Sequence, residues 1–200
     1  LRPFHSGMQP MDNNNELYSK LIRGCLHQER DAHQRMYNLL AGKMFAVCMR
    51  FSQNRESAED LLQEGFLRVF TNLDKFRFDG SFEGWVRRIM VNTAVEHFRR
   101  GNRMYPVLNL DAEETQEAIA MPENSLEVND LVQLIQQLSP GYRTIFNLYA
   151  VEGYSHKEIA EMLNISEGTS KSQLARARYI LMEKVEQTHG VTYKPGNIAR

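Results

Sequence analysis

Between residues 171 and 178 stand Lys171, Ser172, Gln173, Arg176 and Arg178. Lysine, glutamine and arginine carry donors that address base edges in a major groove, while serine and arginine also hold phosphate and fix register. A second group is Asp60, Gln63 and Glu64, spaced i, i+3 and i+4, which places two acids and an amide on one helical face as a polar docking edge. A third occupies residues 73–82, where Phe76, Phe78 and Phe82 interleave with Lys75, Arg77 and the flexible pair Asp79-Gly80. Aromatic faces beside cations can hold unstacked bases, each stacking contact being worth roughly 1–3 kcal/mol. Further on, Arg88, Asn92 and Arg99 line one side of an expected helix, with Trp85, Ile89 and Phe98 on the other. Each group has a plainer reading as a solvated face, and their combination is what points to nucleic acid.

The elements that must position these groups read as helices throughout. Apolar residues recur at three and four from Leu17 to about Arg103, as in Leu61, Leu62, Phe66, Val69 and Phe70, and strict alternation is absent. Ser57 and Ser81 stand where helix starts are expected, with breaks near Asn54 and Asp79-Gly80. Periodicity then fades: Pro106, Pro122 and the acids Asp111, Glu113, Glu114 and Glu117 give residues 104–125 the composition of a flexible acidic linker. It returns at Leu126. Ser139-Pro140 is a helix-opening pair, Gly153 a stop, and Ser155-His156-Lys157-Glu158 a capping box. Residues 155–182 have the layout of a helix-turn-helix, with Ile159, Ala160 and Leu163 inward. Its turn falls at Asn164-Ile165-Ser166, and Asn164 suits a left-handed backbone. The longer second helix carries an inward stripe of Leu174, Ala177, Leu181 and Val185.

The bulk composition sets limits. With 24 Lys and Arg against 25 Asp and Glu, the net charge of −1 excludes a uniformly basic coat, and the cations are instead concentrated in residues 87–103 and 171–178. There is no run of eighteen apolar residues and no recognisable secretory signal, so no membrane insertion is expected and a cytoplasmic location is the default. Cys25 and Cys48 lie on helical patterns without a neighbouring Cys or His at ligand spacing. They read as buried thiols, and no metal is expected. No phosphate loop, metal cluster or nucleophile–base pairing is visible, so neither catalytic residues, nor cofactors, nor an enzyme are expected.

Ala58-Glu59-Asp60-Leu61-Leu62-Gln63-Glu64-Gly65-Phe66 resembles region 2.2 of the sigma-70 family. Phe82-Glu83-Gly84-Trp85-Val86-Arg87-Arg88-Ile89 with Val91-Asn92-Thr93-Ala94 resembles regions 2.3 to 2.4. Tyr154 to Ala160 and Ser166 to Ser172 resemble region 4.2. Two separate segments in the family's order are more specific than one helix-turn-helix. The absence of a third domain between them resembles the extracytoplasmic-function subgroup. The resemblance implies an all-α protein of two small helical domains: a lead at 1–15, a region 2 domain at 16–103, the linker at 104–125, a region 4 domain at 126–186 and a tail at 187–200. It implies a transcription initiation factor that binds core RNA polymerase at the β′ clamp and β flap, with Asp60, Gln63 and Glu64 on the clamp. Phe76, Arg77, Arg88, Asn92 and Arg99 would meet the −10 element and aid melting, where extruding a base costs a few kcal/mol. Lys171, Ser172, Gln173, Arg176 and Arg178 would meet the −35 element. Promoter DNA and, as a regulator of the subgroup, an anti-sigma factor are the further partners implied.

Two departures stand out. Ser170 occupies a position usually held by Val in the helix-turn-helix core, and Gln173 replaces a common Arg. The alternative from another class is a polymerase-independent helix-turn-helix regulator, which would need neither the Asp60-Gln63-Glu64 edge nor the Phe76 to Phe82 loop.

Overall fold

In the computed structural model, residues 13–102 and 128–189 are described, and they contain eight α-helices and no strand. The linker expectation for 104–125 lies outside them, as does most of the expected lead and tail. The all-helical fold follows the periodicity. Helix α1 (Asn13–Leu26) opens inside the stretch assigned to the lead, because Leu21, Ile22 and Cys25 form a buried stripe that its first turns extend.

Helix α2 (Arg30–Phe51) is the spine of the first half. Ala32, Met36, Leu40, Met44, Val47 and Cys48 recur at three and four and are all buried, giving it one continuous apolar face. Helix α3 (Arg55–Thr71) begins earlier than Ser57 suggests. Its N-cap is Asn54, whose Oδ1 accepts from the Ser57 backbone amide at 2.9 Å, satisfying one of the unpaired donors of the first turn. A 3₁₀ turn (Leu73–Lys75) and the aromatic loop lead to α4 (Phe82–Asn102), where Ser81 Oγ accepts from Gly84 N at 3.2 Å as the sequence suggests.

The inward face of α4 differs from expectation. Phe82, Val86, Met90, Val91, Ala94 and Val95 are the buried residues, while Trp85, Ile89 and Phe98 are only half-buried at its margin. The reason is rotation: α4 contacts both α2 and α3, so the stripe centred on Val86 and Met90 faces the bundle.

The second half begins with α5 (Val128–Gln136) and α6 (Pro140–Phe146). Pro140 sits at the first turn of α6 as read, but Ser139 makes no side-chain capping bond. The turn between them is held instead by buried Arg143, whose Nη2 donates to the carbonyls of Gln136 and Leu138 at 2.7 Å each. A π-helical turn (Asn147–Val151) follows, and Gly153 at φ 77° reverses the chain. Helices α7 (His156–Leu163) and α8 (Glu167–His189) complete the half, the latter running past the expected domain end at 186.

Where α3 crosses α4, buried Gly65 faces the fully buried Met90, whose sulfur occupies the place a Cβ would take. Exposed Gly42 on α2 has nothing within 4 Å of that place. Gly42→Ala is therefore expected to stabilise the protein by up to about 1 kcal/mol through helix propensity. Gly65→Ala should destabilise it by about 1–3 kcal/mol through overpacking. Urea denaturation of the two variants beside the wild type checks both signs.

Candidate nucleic-acid and polymerase interfaces

The helix-turn-helix is built as its residues dictate. Ser155 Oγ accepts from Glu158 N at 3.3 Å and the Glu158 carboxylate accepts from Ser155 N at 2.8 Å, a reciprocal cap at the start of α7. Asn164 takes the left-handed conformation, φ 56° and ψ 51°, that turns the chain between the two helices. Ser166 caps α8 by accepting from Thr169 N at 2.9 Å. Leu174, Ala177 and Leu181 then bury the inner face of α8, and Val185 is half-buried.

Of the five residues assigned to the −35 element, Lys171 and Arg176 are exposed, and three are partly engaged within the protein. Ser172 Oγ donates to the Thr169 carbonyl at 3.1 Å, the Gln173 side chain lies against Gly141 of α6, and the Arg178 guanidinium sits 5.6 Å from the Tyr149 ring centre. This corrects the expectation that all five lie mostly outside; α8 is flanked by α6 and the π-turn, which cover one side of it. Exposed Tyr179, with Arg176 5.2 Å from its ring centre, joins the outer face and went unread in the sequence. Its i+3 spacing from Arg176 was the available signal.

On α3, Asp60 and Gln63 are exposed, as a docking edge requires, whereas Glu64 is half-buried and already engaged. Its carboxylate accepts from Arg68 at 2.6 Å and Arg100 at 3.4 Å and pairs with His97 at 2.9 Å. Burial alone would raise the Glu64 pKa, but Arg68 and then His97 hold it below the usual carboxylate range. Glu64 thus ties α3 to α4.

In the aromatic loop, Phe76 packs against the rings of Phe78, Phe82 and Trp85 at 4.8, 5.1 and 5.5 Å. Phe82 is core, and the exposed ring is Phe78, 53% accessible and held at φ 60°. Arg77 is exposed beside it, and Arg88, Asn92 and Arg99 are exposed along α4.

The two halves also meet. Glu152, just after the π-turn, lies between Arg50 of α2 at 3.0 Å and Arg87 of α4 at 2.7 and 2.9 Å. Its side chain is only 6% exposed. No sequence signal marks this trio, whose members stand 65 and 102 residues from Glu152 along the chain.

Comparison with known proteins gives the family. The chain matches Sigma-70 region 2 over residues 36–104 and Sigma-70, region 4 over residues 129–181. It is 28% identical over 184 residues to the ECF RNA polymerase sigma factor SigW of Bacillus subtilis, covering 84% of this chain and 97% of that one. The ECF RNA polymerase sigma-E factor of Escherichia coli K12 is 30% identical, over 76% of this chain and 88% of its own. The RNA polymerase sigma-H factor of Pseudomonas aeruginosa is 32% identical, over 68% and 77%. The chain is an extracytoplasmic-function sigma factor of the sigma-70 family. It is therefore a transcription initiation factor that recognises promoters together with core RNA polymerase. Among solved structures, the sigma factor RpoE with the anti-sigma factor NepR from Bartonella quintana aligns at TM-score 0.48 and 23% identity, over 78% of this chain and 98% of that one. No helix among the described residues is long and apolar enough to cross a membrane.

The Ser170 departure has a local compensation in this sigma factor. Ser170 is fully buried, and its hydroxyl shares a 2.9 Å hydrogen bond with His156 Nδ1, linking the first turn of α7 to the first turn of α8. Tyr149 stacks on the imidazole at 4.5 Å. Burial lowers the His156 pKa, helped by Lys171 and Arg178 and opposed by Glu167. With the folded pKa below the unfolded value of about 6.5, this contribution to stability is complete above that pH and is lost as pH falls toward the folded value. His156→Phe should cost about 1–3 kcal/mol by stranding the buried hydroxyl, and adding Ser170→Val should recover most of it. The double variant should also lose the wild type's additional destabilisation between about pH 7 and about pH 5.5. Denaturant titrations at both pH values test each point.

Proposed function

We propose that this sigma factor docks on the β′ clamp of core RNA polymerase through Asp60 and Gln63, with Glu64 positioning that edge, and meets the β flap through its second domain. The −10 element is engaged by Arg77, Arg88, Asn92 and Arg99 beside the aromatic cluster, in which Phe76 supports the exposed ring of Phe78. The −35 element is read by Lys171 and Arg176 on the outer face of α8, with Ser172, Gln173 and Arg178 contributing once their present contacts are exchanged. The domain division at 16–103 and 126–186, joined through 104–125, follows from the same reading. The observation that carries it is the pairing, in one chain, of an exposed polar edge, Asp60 and Gln63 on α3, with a capped helix-turn-helix whose Lys171 and Arg176 face outward. A polymerase-independent regulator would have no use for the first of these. The protein acts on DNA by binding and distortion without catalysing a reaction, and it works in the cytoplasm, where polymerase and promoter are.

Run-off transcription with core polymerase and a promoter library tests the assignment. Asp60→Lys/Gln63→Lys should abolish holoenzyme formation while leaving the melting temperature unchanged; normal polymerase binding by that variant would refute the docking role. Glu64→Lys, by contrast, should lower the melting temperature as well, because it breaks the bonds to Arg68, His97 and Arg100. Arg176→Ala should weaken promoter binding by about 1–3 kcal/mol and relax selectivity at one −35 position if Arg176 reads a base, or weaken it evenly across sequences if it holds phosphate.

A further inference from the structure

Helix α8 carries its cations through a stretch without acids: between Glu167 and Glu183 there is no Asp or Glu. Arginines that join helices elsewhere in the chain are held by carboxylates, Arg50 and Arg87 by Glu152, and Arg68 by Glu64 and Glu96. On α8 the partners are rings. The Arg178 guanidinium lies 5.6 Å from the centre of Tyr149, which belongs to the π-turn. That of Arg176 lies 5.2 Å from the centre of Tyr179, one turn further along the same helix.

The partner decides what a guanidinium can still do. A carboxylate accepts its N–H donors and presents a negative charge to DNA. An aromatic face attracts the cation through its quadrupole and leaves the donor fork unspent. Arg176 and Arg178 are turned apart by roughly 200° at 3.6 residues per turn, so one base cannot engage both. Arg178 is half-buried against the π-turn, whereas Arg176 and Tyr179 are both exposed. Tyr179 is 52% accessible and stands outside the buried stripe of Leu174, Ala177 and Leu181, so the core does not account for so large a ring. Side chains on a helix lean toward its N-terminus, which lays the ring at 179 over the turn that carries Arg176.

We propose that Tyr179 is a positioning residue for promoter selectivity: its ring keeps the Arg176 guanidinium ordered on the outer face of α8, and Arg176 so held reads one base of the −35 element. A free arginine surrenders its rotamer freedom on reaching a base edge, and one already resting on a ring has surrendered part of it beforehand. Only a guanidinium fixed in direction meets two acceptors on a base edge at once. Tyr179 acts through Arg176 and touches no base itself. This role rests on α8 being the −35 reader, and it goes beyond that reading by committing Arg176 to a base and not to phosphate.

The test uses holoenzyme formed with core polymerase and a promoter library randomised across the −35 element, with the bound fraction sequenced. Wild type, Arg176→Ala, Tyr179→Ala, Tyr179→Phe and the double variant Arg176→Ala/Tyr179→Ala are compared, and the melting temperature of each is measured. Arg176→Ala should erase the base preference at one position. Tyr179→Ala should weaken the preference at that same position by roughly two- to fivefold. The other positions and the melting temperature should stay as in the wild type, because Tyr179 is a surface residue. Tyr179→Phe retains the ring and should retain the preference. The double variant should match Arg176→Ala alone, since the ring then has nothing to act on.

Four results overturn the role of Tyr179 and leave the −35 reading standing: an undiminished preference in Tyr179→Ala, an even loss across all positions, an equal loss in Tyr179→Phe, or a further loss in the double variant. An Arg176→Ala holoenzyme that keeps every base preference overturns that role together with base reading by Arg176. A wild-type holoenzyme without any −35 preference overturns both the role and the reading of α8.

Discussion

A helix that ends inside a protein presents its last carbonyls to whatever lies beyond it, and each needs a donor. The end of α2 meets that demand with side chains from the other half of the chain, Gln136 at Met49 and Asn147 at Arg50. Because α2 also carries the apolar stripe on which α1, α3 and α4 assemble, one helix serves as core of the first half and as seat for the second. Glu152 adds the charge that complements Arg50 and Arg87 at the same place. The two halves therefore meet through these polar contacts around one helix terminus as well as through a shared apolar core that joins Leu134, Ile135 and Phe146 to the core of the first half.

The same economy of polar contacts recurs at the proposed docking and DNA-reading faces. Glu64 belongs to the acidic edge by sequence but is bound to Arg68, His97 and Arg100, so it holds α3 and α4 in register beneath Asp60 and Gln63. Phe76 belongs to the aromatic loop but is supported by Phe82 and Trp85, leaving Phe78 as the ring presented outward. In both places a half-buried member positions an exposed one. Ser170 works similarly within α8: a buried hydroxyl where an apolar side chain would suffice is paired with His156, and the pair joins the first turns of α7 and α8. Preorganising an exposed residue through a locked neighbour is what a precise recognition surface requires.

Much of this was legible in the chain. The helical class, the capping box at Ser155 and Glu158, the left-handed turn at Asn164 and the exposure of Asp60, Gln63, Lys171, Arg176 and Asn92 follow from local periodicity and backbone preference. Two local features differ from that reading, a cap and the rotation of a helix face. The start of α3 moved to Asn54 because its side chain, not that of Ser57, reaches the free amide, and the inward face of α4 moved from Trp85 and Ile89 to Val86 and Met90. Periodicity gives the existence of an apolar stripe more securely than its rotation, since several stripes on an aromatic-rich helix satisfy the same spacing.

What the sequence by itself determined was the helical class, the capping box of Ser155 and Glu158 and the two motifs that reveal the family, because those depend on residues within a few positions of one another. Tertiary structure alone decided which polar side chains are free and which are spent. Gln173 and Arg178 lie against α6 and the π-turn, Glu64 is enclosed by Arg68, His97 and Arg100, and Glu152 finds Arg50 and Arg87 across 102 and 65 residues of chain. A charge keeps the same identity in the sequence whether it faces water or a partner. Only the packing of distant helices removes the water and supplies the partner that gives the charge its role.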